Sequence, residues 1–195
     1  DEILTDLDKL GDFLIQNNIK LENFQSTIGI LVGNNANYRQ GVHWIIQDVG
    51  IEIAFANKTL TLEVSINNAR ETFSFIDLVC KNCSVTGRNI NIEYKSGPGS
   101  ITKETIKKQF IERDLFNANS LDEIQWRMKN TDFDSDKLKS WLKEHKSSID
   151  DIINGTNINV SNKFKNFFGM NSFSTNITDG NIDAFVNNNY TKIFK

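Results

Sequence analysis

Residues 73–95 read FSFIDLVCKNCSVTGRNINIEYK, and their reading decides the fold. The run 71–80, ETFSFIDLVC, is dense in strand formers. INIEYK, 90–95, alternates Ile90, Ile92 and Tyr94 with Asn91, Glu93 and Lys95. Between them KNCSVTGRN, 81–89, is rich in turn residues, so the stretch predicts a β-hairpin. The two-residue period puts Phe73, Phe75, Asp77 and Val79 on one face of its first strand, and Glu93 with Lys95 on one face of its second. Asp77 interrupts an apolar run, and a carboxylate in that setting needs a cation, a hydrogen-bond donor or a metal to offset its desolvation.

Working outward, KTLTLEVSI, 58–66, also alternates, with Leu60, Leu62, Val64 and Ile66 on one side and Glu63 on the other; NNAR, 67–70, is a turn. Three strands with short connections predict an antiparallel meander. Upstream, NYRQGVHWIIQDVG, 37–50, sets Val42, Ile45, Ile46 and Val49 on one helical face and stops at Gly50. GNNAN, 33–37, is a turn, STIGILV, 26–32, is expected as a short strand, and 2–17 as a helix with Ile3, Leu7, Leu10 and Leu14 in a stripe. Downstream of SGPGS come a helix over 101–117 with Ser100 as its cap, a strand over 123–129, and a helix over 134–154 capped by Asp134 or Ser135. The tail, 155–195, is rich in Asn, Ser and Thr but carries Phe164, Phe167, Phe168, Phe173, Phe185 and Phe194. That is too aromatic for a disordered segment, so an ordered appendage is expected, with NIDAFVNNNYTKIF helical.

The predicted class is α+β: helix, three-stranded antiparallel meander, helix, strand, with extra helices at both ends. The 195 residues fit one domain, read as an N-terminal helical extension (1–36), a core (37–131) and a helical C-terminal appendage (132–195). Lys plus Arg number 22 and Asp plus Glu 25, so bulk charge does not announce a nucleic-acid binder and any such role rests on local patches. No apolar run reaches the about 18 residues of a membrane span, and the acidic start DEILTDLDKL is not a signal peptide. Asn-rich composition makes the six N-x-S/T sequons weak evidence of glycosylation. Cys80 and Cys83 form a C-x-x-C that a redox pair or half a zinc site would also use; with His43 and His145 as the only histidines, the expectation is two thiols where a strand enters its turn.

If Asp77 and Glu93 face the same side, two carboxylates converge beside the Lys95 ammonium. A divalent cation relieves the repulsion between them, and hard oxygen ligands select Mg²⁺ or Mn²⁺, with Zn²⁺ a further candidate. A metal-activated water can then attack a phosphodiester while the lysine orients it or stabilises the developing charge. The order Asp, about fifteen residues, Glu-x-Lys on a hairpin followed by a helix resembles the PD-(D/E)xK, restriction-endonuclease-like nucleases. ITKETIKKQFIERDLFNANSLDEIQWRMKNT, 101–131, resembles the corresponding segment of toxin domains at the C-termini of bacterial polymorphic toxins of the contact-dependent-inhibition and Rhs types. The likeness covers roughly residues 37–131.

That resemblance implies Asp77 and Glu93 as metal ligands, Lys95 as the catalytic lysine, and Gln109, in the helix after the ExK strand, as a functional glutamine. It also implies a secreted effector acting in the cytoplasm of target bacteria, DNA as substrate ahead of RNA (tRNA included), and a cognate immunity protein. The acid that the first core helix of such nucleases supplies is missing from mid-helix here. Gln40, His43, Gln47 and Asp48 are the polar groups on offer; His43 is taken as the helix ligand, with Glu63 as another metal candidate. Lys103 and Arg113, with Lys107, Lys108 and NKFKNFF at 162–168, are candidate phosphate contacts. The alternative is a non-catalytic α+β binding or immunity module in which Asp77 and Lys95 pair across the hairpin as a structural salt bridge.

Overall fold

A computed structural model describes residues 2–69 and 72–195. The chain is α+β, with a mixed five-stranded sheet in the order β1-β2-β3-β4-β5. In sequence the elements are α1 (Glu2–Gln16), β1 (Lys20–Glu22), α2 (Phe24–Leu31), α3 (Ala36–Val49), β2 (Thr59–Asn67), β3 (Phe73–Lys81), β4 (Ile90–Ser96), α4, β5 (Ile124–Lys129), α5 (Ser135–Glu144), α6 (Lys146–Ile153), α7 (Ile158–Phe167) and α8 (Asp179–Ile193). Helix α4 starts with one α-helical turn, Lys103–Thr105, and runs on as a π-helix, Ile106–Leu115.

The chain divides into two compact units. The first comprises 1–64 and 75–94, the second 65–74 and 95–195. The division cuts through β2, β3 and β4.

In the first unit β1 pairs parallel to β2, Leu21 opposite Leu60, and β3 pairs antiparallel to β4, Leu78 opposite Ile92 and Cys80 opposite Ile90. Leu60, Leu62, Leu78, Cys80, Ile92 and Tyr94 form the sheet side of a core whose helical side is Leu10, Leu31, Val42, Ile45, Ile46 and Val49. The stripes expected on α1 and α3 are therefore the ones that bury. Asn35 caps α3 by accepting the N–H groups of Asn37 and Tyr38.

The segment expected as a strand at 26–32 is helix α2 instead. Short apolar runs do not distinguish strand from buried helix by period alone. Here Phe24, Ile28 and Leu31 fall at helical spacing against the first core, and the sheet position beside β2 is already taken by β1, a three-residue strand too short to announce itself. Cys80 and Cys83, expected as two thiols, are joined in a disulfide.

The second unit is built on aromatics. Phe110, Trp126, Phe133, Phe164, Phe168, Phe185 and Phe194 belong to one buried cluster, so the Asn-rich tail is ordered because its phenylalanines bury, at ~25 cal/mol per Å² of apolar surface removed from water. The tail also closes the sheet: Phe194 bridges Trp126 in parallel, Lys195 N–H donates to the Trp126 carbonyl at 2.8 Å, and Met128 N–H donates to the Lys195 carbonyl at 2.7 Å. An edge strand covered this way offers less template for outside pairing.

The helix expected at 134–154 is two helices, α5 and α6, broken at His145; Asp134 caps the first, accepting Lys137 N–H at 2.8 Å. The cap of α4 is the Thr102 hydroxyl and not Ser100. SGPGS needs its glycines: Gly97 and Gly99 have φ of 82° and 73°, where a Cβ is strained. Helix α7 was not anticipated. The turn at 67–70 and the strand start at 71 fall partly on residues outside those described.

Candidate functional site

The β3–β4 register runs to Leu78 opposite Ile92; carried one step further it would set Asp77 opposite Glu93, and the Tyr94 N–H bond to Asp77 Oδ2 at 2.8 Å keeps the two strands adjacent there. Directly opposed residues of an antiparallel pair project to the same side. The neighbours Leu78 and Ile92 point into the core shared with α1 and α3, so Asp77 and Glu93 lie on the opposite face, as alternation requires. Lys95 follows two residues along the same strand and so points the same way.

The Asp77 carboxylate is held: Oδ2 accepts the backbone N–H of Tyr94 at 2.8 Å. Glu93 is 2% exposed. Glu63 in β2 is the third carboxylate. Its φ is +51°, a left-handed conformation that a non-glycine residue adopts only where the surroundings demand it. One such residue in a strand bends it and re-aims a side chain. Burial raises the Glu63 carboxyl above its ordinary range, and the negative charge of Glu93 pushes it further the same way. Glu63 on β2 and Glu93 on β4 therefore feel one another's charge.

His43 is not with them. Its Nε2 shares a hydrogen bond with Asp6 Oδ2 on α1 at 2.8 Å, and Gln47 Nε2 donates to the same oxygen at 2.8 Å. Glu2, Asp6 and His43 bring one ligand atom each within 4.8 Å of one another, and among the described residues no other group of three His, Cys, Asp or Glu side chains does so. The expected set of Asp77, Glu93, Glu63 and His43 thus does not close into a three-ligand cage. The α3 acid that reaches the sheet is Asp48: Tyr94 donates its hydroxyl to Asp48 Oδ2 at 2.6 Å, and Trp44 packs edge-on against the Tyr94 ring at 5.1 Å. Trp44 and Asp48 stand one turn apart on α3.

In the second unit, Lys95 Nζ lies 5.4 Å from the centroid of the Trp126 ring. Gln109 stands on the π-helical part of α4; its Oε1 is buried and accepts no hydrogen bond among the described residues. A π-helix widens the turn and is frequent at functional sites. Arg113, expected at a phosphate, is 0% exposed. Its Nε donates to Asp114 Oδ1 at 2.6 Å and its Nη1 to Ser74 Oγ at 3.3 Å, so as placed it is an internal ion pair. Lys103 is half-exposed and pairs with Glu144 at 2.6 Å.

Comparison with family models, with curated proteins and with solved structures finds no match to the chain.

Proposed function

We propose that this chain is a metal-dependent nuclease toxin domain with a restriction-endonuclease-like core, hydrolysing phosphodiester bonds of DNA in target bacteria and neutralised in producing cells by a cognate immunity protein. The observation that supports the reading is that Asp77 and Glu93 each stand one residue beyond the Leu78–Ile92 pair of the β3–β4 hairpin, with Lys95 two residues on from Glu93. The order α3, β2, β3, β4, α4, β5 follows the helix, three strands, helix, strand of that core. No helix among the described residues is long and apolar enough to cross a membrane.

The donor set suits a hard divalent cation. Mg²⁺ commonly binds through one or two carboxylates, its other positions held by water and substrate phosphate, so a closed three-ligand cage is not required. The raised Glu63 carboxyl, with Glu93 among its causes, marks the crowding of negative charge that a cation relieves.

Asp77 and Glu93 would hold the ion, and Glu63 adds negative charge beside it. When bound, Mg²⁺ or Mn²⁺ supplies Lewis acidity toward the phosphate and lowers the pKa of a water. Lys95 presents an ammonium on the same strand face, where it stabilises charge growing on the phosphoryl oxygens. Gln109, the glutamine such a nuclease would use after its ExK strand, has a buried carbonyl oxygen that accepts no hydrogen bond among the described residues.

A second reading has its own support. The Tyr94 N–H bond to Asp77 gives that carboxylate a structural role, as a non-catalytic binding or immunity module would use it. Incubation of the purified chain with plasmid DNA and separately with total RNA, each with Mg²⁺, Mn²⁺ or EDTA, separates the two. Cleavage that needs metal and is lost in Asp77→Asn supports the nuclease, and the substrate cut decides DNA or RNA. No cleavage under any metal sinks it in favour of the module.

A further inference from the structure

We propose that Trp126 is the positioning residue for Lys95, holding the ammonium on its indole face; as a role in catalysis this rests on the nuclease reading above. A lysine on a strand has four rotatable bonds and keeps no fixed aim unless something holds its head. An aromatic face attracts the cation through its quadrupole and itself brings no net charge, so this contact steadies the ammonium without lowering its field.

The geometry suits that task. The 5.4 Å separation of Lys95 Nζ from the ring centroid is inside the ~6 Å reach of the interaction. Trp126 is 0% exposed, so its ring cannot swing away. Its Nε1–H donates to Asp114 Oδ2 at 2.7 Å, and Asp114 Oδ1 accepts from Arg113 Nε at 2.6 Å. Donation to an anion pushes electron density back into the indole and strengthens its hold on a cation. The buried Arg113–Asp114 pair thus fixes the tryptophan that aims Lys95. Phe110 and Phe194 pack on the same indole, with centroids 6.0 and 5.6 Å away.

The test combines proton NMR of the lysine ε-methylenes, Lys95 being assigned by its loss in Lys95→Arg, with steady-state cleavage by the wild type, Trp126→Phe and Trp126→Leu. The wild-type Lys95 ε-methylene should lie upfield of the other lysines from the ring current. The shift should persist in Trp126→Phe and vanish in Trp126→Leu, with kcat about tenfold lower in the leucine variant, largely restored in the phenylalanine variant, and KM unchanged. An unshifted Lys95 in the wild type overturns the contact even if Trp126→Leu fails to fold. A shifted Lys95 with equal kcat in folded Trp126→Leu overturns the catalytic role alone. No cleavage by a wild type whose Lys95 is shifted overturns the nuclease reading and with it the catalytic meaning of the contact.

Discussion

Asp77 Oδ2 accepts the backbone N–H of Tyr94 at 2.8 Å, so a side chain of β3 satisfies a main-chain donor of β4 just beyond the Leu78–Ile92 pair. The bond fixes the carboxylate beside its acidic neighbour and couples the candidate chemistry to the integrity of the hairpin.

Asp77→Asn keeps an acceptor for that N–H and removes the charge. It should leave the urea midpoint close to wild type while cleavage falls by 10²-fold or more, roughly 2.7 kcal/mol in the barrier. Asp77→Ala removes the acceptor as well and should cost about 1–3 kcal/mol of stability, the penalty for leaving a buried donor unsatisfied. Full cleavage by Asp77→Asn would remove the residue from the site.

Glu63 gives a pH signature. Its carboxyl is raised by burial and then by Glu93, so the folded state binds the proton more tightly than the unfolded chain. The favourable contribution of the protonated form is complete below the ordinary carboxyl range and is lost as pH rises through the raised value. Glu63→Gln should therefore melt higher than wild type at pH 7, with the gain shrinking as pH falls from the raised value to the ordinary carboxyl range. Mn²⁺ should also raise the wild-type melting temperature at pH 7, by mass action on the folded state, and Glu93→Gln should abolish the rise. Thermal scans across pH, with and without Mn²⁺, check both; a Glu63→Gln variant less stable than wild type at pH 7 contradicts the first.

His43 is committed to Asp6 and Gln47 between α1 and α3. His43→Ala should lower the urea midpoint by loosening α1 while metal-dependent cleavage, measured per folded molecule, stays at the wild-type level. Loss of cleavage in a folded His43→Ala protein would return His43 to the site as the helix ligand.

Arg113 and Asp114 are a fully buried ion pair. Arg113→Met leaves Asp114 buried without this partner and should cost about 3–5 kcal/mol, read as a large shift of the denaturation midpoint. A surface phosphate contact would instead lose substrate affinity at nearly constant stability. Measuring both quantities on the one variant decides between the roles.

The strands at 58–66, 71–80 and 90–95 were legible because their periods repeat over several residues. Local alternation decides which side of a strand faces a core. The helix caps were less uniform: Asp134 was readable from its type and position, whereas Thr102 displaced Ser100 as the cap of α4. The aromatic content of 155–195 was likewise enough to foresee order, since scattered phenylalanines have no stable place in water.

By itself, then, the sequence determined the α+β class, the three successive strands and the ordered tail, all of which follow from near-neighbour periodicity and side-chain hydrophobicity. Tertiary structure alone decided that 24–31 is helix, that Glu63 takes a φ of +51°, that His43 turns to Asp6 while Asp48 meets Tyr94, and that Arg113 is internal. His43, Asp48 and Arg113 reach partners 37, 46 and 39 positions away, and long-range partners are set by packing, which no local period records.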